Sequence, residues 1–191
     1  MITEDLSLPT TCPESKQPFH PREYRNALGR FATGVSVVTT HHHGRTHGMT
    51  ANAFVSVSLD PPLVLLSLDN RSQMHQILPA TGVFGVSVLA EGQEAISNHF
   101  AGRAVDGLEI QFVTRRNVPV LEGAVAYFVA RVVNTHEAGD HTLYIGHVEH
   151  FESSDGRPLL FFAGDYEQIR RRKTSRRRQN SAPARHAASK T

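Results

Sequence analysis

The sequence predicts a mainly-β domain: an antiparallel barrel, closed or partly closed, with a few short helices packed outside it. Three observations lead there. About seven short apolar segments follow one another with turns containing Gly or Pro between them. Strands do not alternate regularly with helical patterns, which argues against a parallel βαβ sheet. No GxGxxG follows a strand and no P-loop is present, so any nucleotide must be held by another device. At 191 residues the chain is one domain with room for a real core.

The elements are justified in order. His20-Pro21-Arg22-Glu23 opens a helix, with Pro21 in the first turn where its missing N–H costs nothing. Tyr24, Leu28 and Phe31, with Ala27 alongside, make a helical stripe, and the helix is expected to stop near Thr33-Gly34. Residues 35–40 form a strand, turned at His41-His42-His43-Gly44 into a hairpin with the strand that begins near Thr46. After Pro61-Pro62, residues 63–68 form the third strand. Asp69-Asn70-Arg71-Ser72 then leads into a helix over 73–78 with Ser72 as N-cap and Pro79 as its stop. Residues 83–89 alternate as a strand and 92–100 read as a helix. The segment 104–117 is weakly patterned and is expected to be a lid-like loop. Residues 121–138 are strand-rich, with Val125, Tyr127, Val129, Arg131 and Val133 on one face. Gly139-Asp140-His141 turns the chain into an antiparallel partner over 142–151, and 159–162 is a last strand.

The two ends differ from the middle. Residues 1–20 hold three prolines and little apolar periodicity, and 170–191 hold no acidic or large apolar residue. Neither can bury enough surface to offset its ordering entropy, so both are expected to be disordered, leaving 21–169 as the folded domain. The tail carries nine of the 20 Lys and Arg, so the rest has 11 cations against 18 carboxylates, a net −7. The basic tail is either a solubilising extension or a tether to a polyanion or acidic partner. An acidic body argues against nucleic-acid binding. The single cysteine, Cys12, allows no intrachain disulfide and fits a reducing, cytoplasmic setting. No apolar run is long enough to span a bilayer, and no signal peptide is visible.

Covalent and metal chemistry find little support. No Ser sits on a GxSxG elbow, and no HExxH pair appears. The three consecutive histidines point in different directions on a strand or loop, so a polar hairpin tip explains them better than a metal site, and no metal is expected. The informative stretch is residues 44–68, GRTHGMTANAFVSVSLDPPLVLLSL. Its small polar residues either face water on an edge strand or let a large flat ring lie against the backbone. The Asn70-Arg71-Ser72 helix start is either an ordinary cap or a phosphate site. Together these features suit a protein that positions a cofactor and leaves the chemistry to it.

The run 48–63, GMTANAFVSVSLDPPL, resembles the signature of the flavin reductase-like, FMN-binding split-barrel family. Matches follow in order at Thr33-Gly34-Val35-Ser36-Val37-Val38-Thr39, at Asn98-His99-Phe100-Ala101-Gly102, and at 139–146 (GDHTLYIG). The chain is most similar to the reductase components of two-component flavin-dependent monooxygenases. The resemblance implies a six-stranded Greek-key split barrel, a homodimer, and NAD(P)H-dependent reduction of FMN or FAD for a partner oxygenase. By position, Thr50, Ala51 and Asn52 would line the isoalloxazine ring, and Ser56, Val57 and Ser58 would hold the ring and ribityl region. Ser67, Asn70, Arg71 and Ser72 would reach the ribityl chain and phosphate. Phe100, Ala101 and Gly102 would close over the flavin. His141 would sit by the nicotinamide of NADH or NADPH as the catalytic residue; the alternative is a turn histidine bonded to local backbone. Two departures stand out: Ala53 where the family often has Ser, and 162–166 (FAGDY) where it often has a basic Arg-Gly-Arg-Tyr-like run. The acidic body favours NADH over NADPH. Hydride would pass from nicotinamide C4 to flavin N5, with positioning supplying up to about 7–11 kcal/mol in the best model systems. The rivals are a non-catalytic flavin- or haem-binding module and an enzyme whose prosthetic FMN reduces a small molecule directly.

Overall fold

The computed structural model describes residues 19–103 and 105–170; the readings of the N-terminal segment, Cys12 and the basic tail lie outside the described residues. Strands β2 (Ser36–His42), β3 (Arg45–Ala51), β4 (Phe54–Leu59), β5 (Pro62–Asp69), β6 (Val83–Val88), β9 (Ala126–Ala138) and β10 (His141–Ser153) form one antiparallel sheet. Its order is β3-β2-β6-β9-β10-β5-β4. The two edge strands, β3 and β4, are consecutive in the chain and joined only by Asn52 and Ala53. A link that short holds the end of β3 beside the start of β4, so the sheet rolls into a partly closed barrel in which β3 and β4 are not hydrogen-bonded to each other.

The barrel is filled by Val38, Val64, Leu66, Leu68, Phe84, Val86, Ala130 and Tyr144, with Met74 and Leu78 of helix α2 (Gln73–Thr81) among them. Gly146 lies on β10, where a Cβ would come within 2.6 Å of the Phe84 ring and 3.0 Å of Ala130 Cβ, so only glycine fits. Buried hydroxyls on the barrel strands are satisfied. Ser36 Oγ donates to Ala51 O at 2.6 Å, Thr40 Oγ1 to Val83 O at 2.8 Å, and Thr39 Oγ1 to Pro119 O. The small polar residues of β2 thus bond main chain across the interior.

Helix α1 (Pro21–Leu28) starts at Pro21 as expected but ends earlier, at the Gly29 cap, so Phe31 falls outside it. Gly29 O accepts from Ala163 N at 2.9 Å, which turns the chain onto β1 (Thr33–Gly34). β1 pairs with β11 (Leu160–Phe162), and β11 with β12 (Asp165–Glu167), a hairpin strand the sequence reading missed. The helical stripe does not enter the core: Tyr24, Leu28 and Phe31 are 54%, 57% and 80% exposed.

Helix α2 keeps its Ser72 cap, whose hydroxyl accepts from His75 N, but runs through Pro79 to Thr81 before Gly82 stops it at φ 65°. Pro79 has no N–H for the carbonyl of His75. The Tyr144 hydroxyl covers that carbonyl at 3.4 Å and meets His75 Nδ1 at 2.9 Å. Helix α3 (Glu94–Phe100) matches the predicted span closely.

The expected loop over 104–117 holds a strand, β7 (Phe112–Arg115), which pairs with β8 (Val118–Leu121). Arg116 and Asn117 at φ 48° and 64° form the tight turn. β8 is buried along its length and caps the barrel side, with Val118 and Val120 packed on Tyr127 and Val129. The face proposed for β9 holds at Tyr127 and Val129, but Arg131 is exposed against Glu149 and Val133 sits at a register shift, 55% exposed.

Candidate flavin and nicotinamide site

A groove of about 1710 Å3 runs between the 25–36 segment, the start of β4, and the turn before β10. Its walls include Asn52 and Ser56 from the 48–63 run and His141 from the 139–146 run, two motifs far apart in sequence. A smaller cavity of about 240 Å3 adjoins it, sharing Asn52, Val35, Phe161 and Gly164, and is lined further by Thr50, Ala101 and Arg103. The groove exceeds the roughly 300–1000 Å3 of usual small-molecule sites.

The predicted residues distribute as follows. Thr50 reaches the small cavity, its hydroxyl donating to Ser97 O at 2.7 Å. The Ala51 side chain is buried in the barrel, so only its main chain can face a ligand. Asn52 and Ser56 are exposed to the groove. Val57 sits at the register shift between Ser56 and Ser58, 48% exposed, and lines neither cavity. Ser67 N donates to Ala53 O at 3.2 Å, holding the β3–β4 link against β5.

Asn70 Oδ1 accepts from Thr142 Oγ1 at 2.8 Å, and Asn70 N donates to Asp140 O, so the 69–72 turn is strapped to the 139–142 turn. Arg71 is gripped by Asp69 at 2.8 and 3.1 Å. Those hydrogen bonds hold the Asp69 carboxyl far below the usual range. Ala101 lines the small cavity and Gly102 takes φ 82° beside it. Phe100 does not line either space. Its ring packs on Phe112 and on Gly48, where a Cβ would lie 2.5 Å from the ring. That contact accounts for the glycine in the Gly-Met-Thr-Ala-Asn run.

His141 is paired with Asp140, its Nδ1 2.7 Å from Oδ1. A carboxylate only accepts, so Nδ1 carries the proton and Nε2 is the free ring nitrogen. The same bond lowers the Asp140 pKa, which keeps the carboxylate ionised and the tautomer fixed. The sequence reading overlooked Ser97 and Tyr166. The Tyr166 hydroxyl lies 2.9 Å from Ser97 Oγ and 3.2 Å from Asn98 Oδ1, tying β12 to α3 across the mouth of the small cavity. Tyr166 stood at the end of the divergent 162–166 run, a signal that pointed to it.

The donor set fits a flavin. β4 is a sheet edge bonded only to β5, so its outer main-chain groups are open to the polar rim of a ring. Gly34 and Gly164 line the groove with nothing within 4 Å of where a Cβ would sit. Residues 28–170 match the model of the flavin reductase-like domain. The chain belongs to this family.

This family member is 50% identical over 152 residues to an NADH-dependent flavin reductase of a Rhodococcus species, covering 78% of this chain and 86% of that protein. It is 40% identical to the reductase component of 4-hydroxyphenylacetate 3-monooxygenase of Thermus thermophilus, over 76% and 95%. Among solved structures it superposes on the flavin reductase PheA2 with TM-score 0.78 at 42% identity, covering 80% of this chain and all of that one. It also matches the NADH:FAD oxidoreductase SgcE6 of Streptomyces globisporus, in complex with NAD and FAD fragments, with TM-score 0.73 at 38% identity over 78% and 92%.

Proposed function

We propose that this protein is the reductase component of a two-component flavin-dependent oxygenase: it moves hydride from NADH to FMN or FAD and releases the reduced flavin. The observation that carries the reading is the groove that joins Asn52 and Ser56 to His141. Bound flavin supplies an electrophilic N5, and NADH the hydride. The chain's own part is to hold the two rings face to face and dry. The open edge of β4 and the Asn52 amide would bond the flavin rim, and Ser56 would hold its ribityl side. Asn70 and Ser72, which line neither the groove nor the small cavity, would take the phosphate. His141, fixed through Nδ1 by Asp140, would use Nε2 to orient the nicotinamide carboxamide.

We also propose a homodimer. Val55, Val57 and Leu59 on β4 and Phe151 on β10 are 53%, 48%, 94% and 65% exposed, a large apolar area for one chain to leave in water. The 50% identical relative supports NADH as the donor.

The deciding assay is NADH and NADPH oxidation by purified protein, with FMN, FAD, riboflavin or no flavin added. The reductase reading expects turnover that needs added flavin and saturates with it. Tight flavin retention without turnover would favour the binding-module rival, and turnover without added flavin the prosthetic one.

A further inference from the structure

Helix α1 has eight residues and none of them is buried. Helices this short are marginal in water and take their stability from packing an apolar face. Here that face is bare. Phe19, Tyr24, Leu28 and Phe31 are 63%, 54%, 57% and 80% exposed, and the Phe19 ring stacks on Tyr24 at 5.9 Å. Three cations flank the row. Arg71, Arg115, Arg131 and Arg157 each have a carboxylate partner; among the described residues Arg22, Arg25 and Arg30 have none. An apolar row rimmed by free charge marks a surface that something covers. Charge separates the two ends of the chain as candidates. The 170–191 tail has nine cations and no carboxylate, so the three arginines repel it. Residues 1–18, which lie outside the described residues, hold Glu4, Asp5 and Glu14 against Lys16 alone, with Ile2, Leu6 and Leu8 around the acidic pair. They also join the chain at Phe19, where the bare row begins.

We infer that residues 2–8 dock on α1 as a strap along the groove rim, with Ile2, Leu6 and Leu8 on the Tyr24, Leu28 and Phe31 row and Glu4 and Asp5 beside the arginines. The reach is ample: eighteen extended residues span about 60 Å, and a helix of eight is about 12 Å long. Pro9, Pro13 and Pro18 stand between, where the chain reverses. By itself the segment cannot offset its ordering entropy, but a preformed apolar row supplies the surface it lacks. The covalent link at Phe19 makes the docking intramolecular, so modest contacts suffice. The strap does not depend on what the groove holds.

The test is amide hydrogen exchange of the full chain, comparing wild type with L6Q/L8Q and E4Q/D5Q at two salt and two protein concentrations. The strap expects the α1 amides of L6Q/L8Q to exchange about tenfold faster than those of wild type, as loss of a covering segment does. In E4Q/D5Q they should exchange faster at low salt and match wild type at high salt, where screening has already weakened the ion pairs. The amides of β6, a strand buried along its middle, should not change, which separates undocking from unfolding. Equal α1 exchange in wild type and both variants overturns the strap. If that shared rate falls as protein concentration rises, a second copy covers the row instead. If it is fast at every concentration, nothing in the chain covers it. A response to L6Q/L8Q without one to E4Q/D5Q overturns the pairing of Glu4 and Asp5 with the arginines.

Discussion

At His141 one ring nitrogen is fixed and the other is free, and this asymmetry decides what the residue can do. A histidine that only anchored its own turn would leave kinetics alone when replaced and would lower the melting temperature. A nicotinamide-orienting one does the reverse. We expect His141→Gln to cut kcat/KM for NADH by about tenfold, roughly 1.4 kcal/mol of positioning, with flavin affinity unchanged. Steady-state kinetics beside a flavin titration checks it. Another residue-scale effect concerns stability. Glu152 is held at a pKa of about 2, against an ordinary 4.5, by hydrogen bonds from Tyr127 and then Arg115. Its folded value is depressed, so its contribution is complete above pH 4.5 and is lost as pH falls through 4.5 toward 2. Glu152→Gln should therefore lower the melting temperature most near neutral pH, flatten its fall across that window, and matter least below it. An equal acid-side slope in both proteins would refute it.

Among the elements, α2 shows how a proline inside a helix is tolerated. The His75 carbonyl that Pro79 cannot serve is met by the Tyr144 hydroxyl, from a strand 69 residues further on. Tyr144→Phe leaves that carbonyl and His75 Nδ1 without their partner in the barrel interior. We expect a loss of about 1–3 kcal/mol in chemical denaturation with the fold retained. The proline marked a helix stop because sequence proximity alone shows no replacement donor. The same limit hid β7. Its four residues look like loop because one side is covered by β8 only after the Arg116-Asn117 turn, and both turn residues take positive φ without being glycine. Helix α1 failed in the opposite direction: its apolar stripe is real, but Ala27, Leu28 and Phe31 border the groove instead of the core.

For the whole molecule, the uncovered apolar surface carries the dimer prediction. Phe151 stacks 6.3 Å from Phe128, itself 5.3 Å from Phe54, so an aromatic row runs from the core to the outside. Light scattering should give twice the chain mass, and Leu59→Asp with Phe151→Asp should give the single-chain mass. A monomeric wild type would remove the proposal.

Several features follow from sequence because their causes are local. Turn glycines, the Ser72 cap, the strand alternation and the ordered family motifs all depend on residues close together in the chain, and they were enough to identify the barrel and the family's chemistry. Tertiary structure alone decided which of the motif residues share a space. It brought Asn52, Ser56 and His141 to one groove, turned Ala51 and Phe100 inward, and committed Arg71 to Asp69. It also set Arg25 and Arg30 on the groove wall, away from the carboxylates that make the domain acidic. Net charge is a sum over residues, whereas a ligand meets only those that folding puts within its reach, and a rolled sheet sets that by pairing strands far apart in sequence.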